Sequence, residues 1–491
     1  MSSIDDIRQG RLEKLQALRS KGIEPFPVTS KQDITNAEAS DAATFAKLST
    51  KPVTLVGRVL SLRPQGAIIF FTFDDGTGKF QGFMKKDEGI TADLFDLFIN
   101  FVDIGDFVQV SGKFFETKRG EKTLDISDWA MLSKSLRPLP EKWHGLQDVE
   151  ERFRKRYLDI ISSPEVKERF IVRSKIVSEI RKFFDKLGFL EVETPVLQPL
   201  AGGASAEPFK THHNALDADM FLRIAPELYL KELLVAGFPK VYEIGRLFRN
   251  EGIDVTHNPE FTTIEFYEAF AEAKKHRTLI EKLLKGLVKN IFDATTVKFA
   301  EHEIDFSKKF EVITFYDLLK RYALIPNPES LTLDEAILKA EQCGVKVGED
   351  KVIHKILDNI YKKTCRPKLI QPTFIIDYPT AFSPLAKHKE GTDGEFIDRY
   401  QLVIGGYELV NAFSELNDPV EQKNRFMAQE KNKELGDNEA QPNDEEYIEA
   451  LEHGMPPAGG VGMSIDRLVM LLTDTKNIRE VILFPTLRRA K

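Results

Sequence analysis

Cysteine is scarce: Cys343 and Cys365 are the two copies in 491 residues. Two thiols exclude a disulfide framework and a cysteine-built zinc site, and read as bystanders in a reducing setting. Excess basic charge is also missing. The 69 Lys and Arg residues face 77 Asp and Glu, a formal net charge of −8. An acidic chain is not a general nucleic-acid coat, so an RNA partner must meet local basic patches. No hydrophobic run is long enough to cross a bilayer, and the opening MSSIDDIRQG lacks the apolar core of a signal peptide. A cytoplasmic protein is the expectation. No internal repeat or low-complexity tract is evident. What remains is an ordinary globular balance, 42% hydrophobic and 30% charged, in a chain long enough for two or three domains.

Local patterns divide the chain. Residues 4–21 read as a helix with a partial apolar stripe (Ile4, Ile7, Leu15, Leu18) and a basic remainder that includes Arg8, Arg11 and Lys14. It is either a solvated helix or one that grips RNA backbone. With its lead-in it fills residues 1–50. Residues 51–136 change character: VTLVGRVLSL, AIIFFTF, KFQGFM, FVQVSGKFFET and TLDISDWAML are short β-branched and aromatic runs between Gly-bearing turns. Five such strands suit an OB-type barrel, which binds single-stranded nucleic acid by stacking bases on exposed aromatics; a barrel whose aromatics only fill its core reads the same. The proline-bearing segment 137–143 is a linker.

From 144 to 491 the pattern is mixed. Pro164 opens a helix, with Phe170, Val177, Ile180, Phe184 and Leu187 at helical spacing and Gly188 as its C-terminal stop. VYEIGRLFR, FTTIEFYEAF, FIIDYP and YQLVIGGYELVNAFSEL read as strands, 276–293 and 314–363 as helices, and 428–447 as charged loop. A helical insertion is expected over roughly 276–365. Strands and helices do not alternate strictly, so the fold class is α+β: an antiparallel sheet flanked by helices rather than a Rossmann fold.

Chemistry-bearing residues recur on shared faces. In a strand, Phe261, Thr263, Glu265 and Tyr267 point the same way. An aromatic can stack on a purine, and a carboxylate with a phenol can receive an ammonium. Asn411, Phe413 and Glu415 repeat the arrangement in NAFSEL; an ordinary amphipathic strand with polar outward residues would look alike. Glu408 has the opposite parity, so a bulge or a different role is needed for it. Arg249, in RNEGIDVTHNPEF, offers a planar fork suited to a phosphoryl group, and His257 and Asn258 either reach phosphates or cap a turn. GGVGMSIDR carries a glycine-rich turn into a helix, where backbone can approach a ligand, with Arg467 just beyond. Two arginines so far apart suggest one triphosphate between them.

The RNEG context of Arg249 and the GVGMSIDR stretch resemble motifs 2 and 3 of the class II aminoacyl-tRNA synthetases, and FLEVETPVL resembles motif 1. GGASAEPFKTHHNALDADMFLRIAPELYLKELLVAGF, HNPEFTTIEFY, NAFSELNDP and EHGMPPAGGVG resemble the lysyl-tRNA synthetase branch, over residues 53–491. The resemblance implies ligation of L-lysine to tRNA(Lys) with ATP and Mg²⁺, and a homodimer through motif 1. It places Arg249 at the α-phosphate and Arg467 over the adenine and terminal phosphate. Glu251, His257, Asn258 and Phe261 match further nucleotide contacts. Gly203 and Glu227 match contacts to the α-amino group, and Asn411 a contact to the carboxylate. Tyr267 and Glu415 match the pair that receives the side-chain ammonium, with Glu265 and Phe413 lining the pocket. Arg63, Phe70 and Gln81 match anticodon-reading positions of the barrel. Two residues depart from the pattern. Glu408 stands at one of two metal-carboxylate positions, but Gln401 occupies the other, and Ser464 stands where glycine is usual.

Three other readings compete. A ligase for aspartate needs a cationic side-chain pocket, which acidic Glu265 and Glu415 oppose. A relative that lysylates a protein lacks the anticodon barrel, which residues 53–132 oppose. A non-catalytic RNA-binding paralogue has Gln401 and Ser464 in its favour.

Overall fold

The computed structural model describes residues 3–140, 146–204, 206–348, 352–434 and 443–488. It holds two compact units, Met1–Gln147 and Asp148–Lys491. Part of the expected linker, 141–143, lies outside the described residues, as does Ser205 of the GGASAEPF motif.

In the first unit, helix α1 (Ile4–Ser20) starts on a capping box, Ser3 with Asp6. Strands β1 (Val53–Gln65), β2 (Ile68–Asp74) and β3 (Lys79–Lys86) are followed by helix α2 (Ala92–Phe101) and strands β4 (Phe107–Glu116) and β5 (Lys122–Ser133). The order β2-β1-β4-β5-β3 closes through β2–β3 pairing into a ring, so the barrel has no long free edge. The five strands lie where the aromatic and β-branched runs predict them. The sequence reading missed α2. Its Phe98 meets Trp129 edge-on, and the Trp129 indole N–H donates to the Leu94 carbonyl, so the helix plugs the barrel. The basic helix is more structural than its composition suggests. The Arg11 guanidinium is buried and donates to the Ile104, Ser135 and Arg137 carbonyls.

The second unit is built on an eight-stranded sheet. Helix α3 (Pro164–Lys186) ends as predicted, with Gly188 at φ +75° and the Gly188 and Phe189 amides donating back to Asp185 and Phe184. Strand β6 (Leu190–Glu191), helix α4 (Glu227–Val235), strands β7 (Lys240–Phe248) and β8 (Glu260–Ala269) and helix α5 (Ala273–Phe292) follow. Then come β9 (Glu311–Thr314), β10 (Thr373–Pro379), β11 (Phe396–Ile404), β12 (Tyr407–Ser414), β13 (Ala458–Ser464) and helix α6 (Ile465–Leu472). The spatial order is β9-β10-β11-β12-β13-β8-β7-β6. The six inner strands pair antiparallel and each edge strand pairs parallel.

Alternation along β8, β12 and β13 sends Ile264, Phe266, Val410, Ala412, Val461 and Met463 into the core under α3, α5 and α6. The opposite residues of the same strands face the other way. Three expectations are corrected here. The span 276–365 is not a purely helical insertion: α5 belongs to the main core, a hairpin pairs Thr296–Phe299 with His302–Asp305, and β9 joins the sheet. Residues 428–447 are not loop where described, because helices Pro419–Glu434 and Glu445–Glu452 enter the span from either side. The glycine-rich turn before Arg467 is itself a central strand, β13. In each case tertiary packing overrides a weak local signal.

Arg156 ties the start of this unit to its end. Its guanidinium is fully buried, pairs with Asp159 at 2.8 Å and donates to the Arg479, Ile482 and Leu483 carbonyls. Arg156→Met is expected to cost about 3 kcal/mol of unfolding free energy in denaturant titration, because it leaves a buried carboxylate and three carbonyls underpaired. A loss below about 1 kcal/mol would show that water replaces those bonds.

Candidate active site

On the side of the sheet away from the α3/α5/α6 core, a cavity of about 470 Å³ opens over β8, β13 and β12. The register sets its width. Glu265 stands opposite Gly462, which stands opposite Asn411; Tyr267 stands opposite Gly460, which stands opposite Phe413. A Cβ on Gly460 would lie 2.0 Å from Glu415 Oε1 and 2.3 Å from the Tyr267 ring. The glycines of β13 thus clear a floor between two rows of large side chains. Gly203 needs its residue type for a second reason: its φ is +86°, and an added Cβ would press on Glu227 and Ala225.

The cavity brings together Gly203, Glu227, Arg249, Glu251, His257, Asn258, Phe261, Glu265, Tyr267, Gln401, Glu408, Asn411, Phe413, Glu415 and Arg467, all singled out in the sequence. Glu408 joins them through a bulge, one of the two explanations its parity left open: the β11–β12 register slips between Leu402 and Val403, pairing Val403 with Glu408.

At one end the site is cationic. The Arg249 guanidinium lies 5.2 Å from the Phe261 ring centroid, and its buried Nε has no hydrogen-bond partner among the described residues. Arg467 donates to the Glu408 carbonyl at 2.8 Å and reaches His257 Nε2 at 3.2 Å, while His257 Nδ1 meets Asp254. Burial lowers the Arg467 pKa from its ordinary value. Asp466 fixes this corner: fully buried, it accepts from Arg173 at 2.5 Å and from the Thr262 amide at 2.7 Å. Ser464 has a task that glycine lacks. It caps α6, its hydroxyl accepting the Arg467 amide at 3.2 Å.

At the other end the site is acidic. Glu227, Glu265 and Glu415 are all buried, and one ammonium, that of fully buried Lys231, stands 2.7 Å from Glu227 Oε1 and 2.5 Å from Glu415 Oε2. The Tyr267 hydroxyl donates to Glu265 at 3.2 Å. Burial, reinforced by Glu227, pushes the Glu265 carboxyl up to about 8. Burial also pushes Glu415 up to about 8, against the pull of Lys231. Burial works against the Lys231 charge, but Glu227 and Glu415 outweigh it and hold the ammonium above its ordinary range.

Sequence reading missed Lys231, whose i, i+4 spacing from Glu227 on α4 was the available signal. It also missed Arg399, which donates to Asn411 Oδ1 at 2.9 Å from the neighbouring strand.

Magnesium, implied by the resemblance, fits this donor set in part. Gln401 turns its amide oxygen to the Tyr378 hydroxyl at 2.7 Å and the Tyr361 hydroxyl at 3.4 Å, so it is not offered to a cation. Tyr361 reaches it from a single π-helical turn, Tyr361–Cys365. Glu408 is the carboxylate left at this position. Asp358 lines the same cavity but pairs with Lys362, and no cluster of three metal-ligating side chains occurs among the described residues.

In the barrel, Arg63 stands opposite Phe70, and its guanidinium donates to Gln81 Oε1 at 3.1 Å, while Gln81 Nε2 donates to Thr123. Phe70 also contacts Phe83 at 4.8 Å, and Phe83 contacts Phe115 at 5.6 Å. These half-buried rings extend the row that Phe70 begins. Phe83 shares strand parity with Gln81, a signal the sequence held.

Known proteins match both units. Residues 148–488 match the model of class II tRNA synthetases (D, K and N), and residues 53–132 that of the OB-fold nucleic acid binding domain. The chain belongs to the class II tRNA synthetases. It is 46% identical to a lysine–tRNA ligase of Moorella thermoacetica, over 99% of this chain and 98% of that protein. It is 47% identical to one of Pelotomaculum thermopropionicum, over 99% and 95%. It is 48% identical to one of Aquifex aeolicus, over 90% and 74%. No helix among the described residues of this synthetase is long and apolar enough to cross a membrane.

Proposed function

We propose that this class II synthetase joins L-lysine to tRNA(Lys) through a lysyl-adenylate. The observation that carries the reading is the acidic end of the cavity: three buried carboxylates and one ammonium, which pairs with two of them, beside a cationic end suited to phosphates. With all three ionised, that end lacks two positive charges. Lysine supplies two ammonium groups, and its carboxylate goes to Arg249. Aspartate and asparagine offer no second ammonium, so the acidic floor rejects them.

In this reading Gly203, Glu265 and the second oxygen of Glu227 receive the α-ammonium. Glu415 Oε1 and Tyr267 receive the ε-ammonium, Phe413 packs along the side chain, and Asn411, oriented by Arg399, meets the carboxylate. Phe261 stacks the adenine, Arg467 covers it and reaches the terminal phosphate, and Glu251, His257 and Asn258 hold the nucleotide. Glu408 would hold Mg²⁺ together with the ATP phosphates, where the ion offsets phosphate charge. A carboxylate oxygen of lysine attacks the α-phosphorus, and the bond to pyrophosphate breaks. The terminal ribose hydroxyl of the tRNA then attacks the lysyl carbonyl, and AMP leaves. The substrate carboxylate is already ionised, so no protein nucleophile is needed. This chain's part is positioning and charge stabilisation. Arg63, Phe70 and Gln81 read the anticodon in this scheme, Phe70 by stacking and Gln81 by hydrogen bonding. The setting is cytoplasmic, with ATP and tRNA.

A homodimer belongs to the same reading. Leu190, Val196, Leu197 and Leu200 are exposed along the motif 1 segment, beside the free edge strand β6. Sedimentation equilibrium is expected to give twice the mass of one chain, and Leu197→Glu to shift it toward one; a wild-type monomer at micromolar concentration would reject the dimer.

Lysine-dependent ATP–pyrophosphate exchange tests the activity and separates a ligase from a non-catalytic paralogue. Arg249→Ala should cost about 3 kcal/mol of transition-state stabilisation, roughly a hundredfold in exchange rate. Normal exchange by that variant would remove Arg249 from the α-phosphate.

The carboxyl groups give a pH dependence with a definite sign. Glu265 and Glu415 titrate near 8, faced by Glu227, Tyr267, Lys231, Arg249 and Glu243, and are partly neutral below that value. Lysine needs them ionised, so its KM should fall as pH rises from about 6 to about 7.5, below the range where its α-ammonium, the more acidic of its two, deprotonates. Glu415→Gln should raise that KM about tenfold or more and flatten the slope. A flat wild-type profile would contradict the assignment.

A further inference from the structure

Lys231 has no task in the steps above, yet it is the ammonium around which the acidic end is organised. It projects from α4 one turn after Glu227, is fully buried, and touches carboxylates from two separate elements: Glu227 on its own helix and Glu415 just past the end of β12. Its Nζ also lies 5.4 Å from the Phe413 ring centroid. An ammonium has three donors and no acceptor; one is hydrogen-bonded to Glu227, and Glu415 is held beside it as an ion pair. Each carboxylate keeps its second oxygen. For Glu415 both oxygens are buried without a hydrogen-bond partner among the described residues: Oε2 pairs by charge with Lys231, and Oε1 faces the floor cleared by Gly460.

We propose that Lys231 is a positioning residue that clamps Glu227 and Glu415 at a fixed separation, and that this separation measures the distance between the two ammonium groups of the substrate. The inference rests on the reading of the cavity as the lysine site. Two buried carboxylates left to themselves repel, move apart or share a proton. Held by one ammonium, they present their outer oxygens at one spacing. An amino acid one methylene shorter then satisfies one oxygen and leaves the other unpaired in a dry site, where an unmet charge is costly. A pocket wall alone discriminates a missing methylene weakly, by about 10–200-fold, so a charge-based measure adds where shape is least effective. The clamp differs from simple neutralisation. Arginine restores the charge, but its planar fork cannot reproduce the compact ammonium spacing.

The test measures ATP–pyrophosphate exchange by the full chain with lysine, ornithine and homolysine as substrates. The wild type is expected to favour lysine over both the shorter and the longer analogue. Lys231→Arg is expected to lower the lysine-over-ornithine ratio of kcat/KM about tenfold, through KM, while leaving the KM for ATP within about twofold. Lys231→Met is expected to lose lysine-dependent exchange while still binding a fluorescent ATP analogue. Should Lys231→Met fail to fold, Lys231→Arg and the wild-type analogue series decide. The clamp is overturned if the wild type uses homolysine as well as lysine. It is also overturned if Lys231→Arg keeps the wild-type ratio, or loses lysine and ornithine in equal proportion as a merely structural defect would. A Glu415→Gln control with unchanged lysine KM would instead remove the lysine reading of the cavity, and the clamp with it.

Discussion

Gly460 and Gly462 stand in register between Tyr267 and Glu265 on one side and Phe413 and Asn411 on the other. Any side chain at Gly460 would collide with Glu415 and Tyr267. Because Gly460 and Gly462 put no side chains on this face, the sheet is packed below and open above. The other features of the site depend on that opening. Glu265, Glu415 and Tyr267 can converge, Arg249 and Arg467 can face a shared space, and the bulge at Val403 can swing Glu408 into it. Val461 and Met463, alternating with the glycines, anchor the same strand in the core. One strand therefore supplies both rigidity and clearance.

Charge is distributed along the cavity with the same economy. Arginines collect at one end, each tied to backbone or ring: Arg467 to the Glu408 carbonyl, Arg249 over Phe261. Carboxylates collect at the other end around Lys231. Burial makes each charge expensive alone and strongly interacting when met. Asp466 joins the two levels of organisation. It pins the Thr262 amide at the start of β8 to the helix that carries Arg467. Ser464 and Gln401 fall in this framework. Ser464 is a helix cap, and Gln401 is the acceptor for two buried phenols.

Much of this was legible in the chain. The strands carrying Phe261 to Tyr267 and Asn411 to Glu415 were readable because alternation is local: each residue's face follows from its neighbours two positions away. The broken parity at Glu408 was readable, although it left a bulge and a different role equally open. Residues 428–447 were misread because their charge resembles loop, although Phe426 and Tyr447 on the flanking helices are buried. The helix Ala92–Phe101 was passed over between two convincing strands, since its apolar face has meaning only against Phe71 and Trp129 across the barrel. Lys231 escaped because a lysine on a helix is usually solvated.

Sequence by itself determined which residue types were available and on which side of each element they stood. It also determined the family, through motifs long enough to be specific. Only the tertiary structure decided which faces meet. That Gly460 opens a floor rather than a turn, that Gln401 answers to Tyr361 and Tyr378, and that one buried ammonium binds Glu227 to Glu415 all depend on contacts between segments far apart in the chain. The physical reason is range. Periodicity encodes direction within an element, whereas strand register and burial, which set distances and charge energies, arise when elements pack against each other.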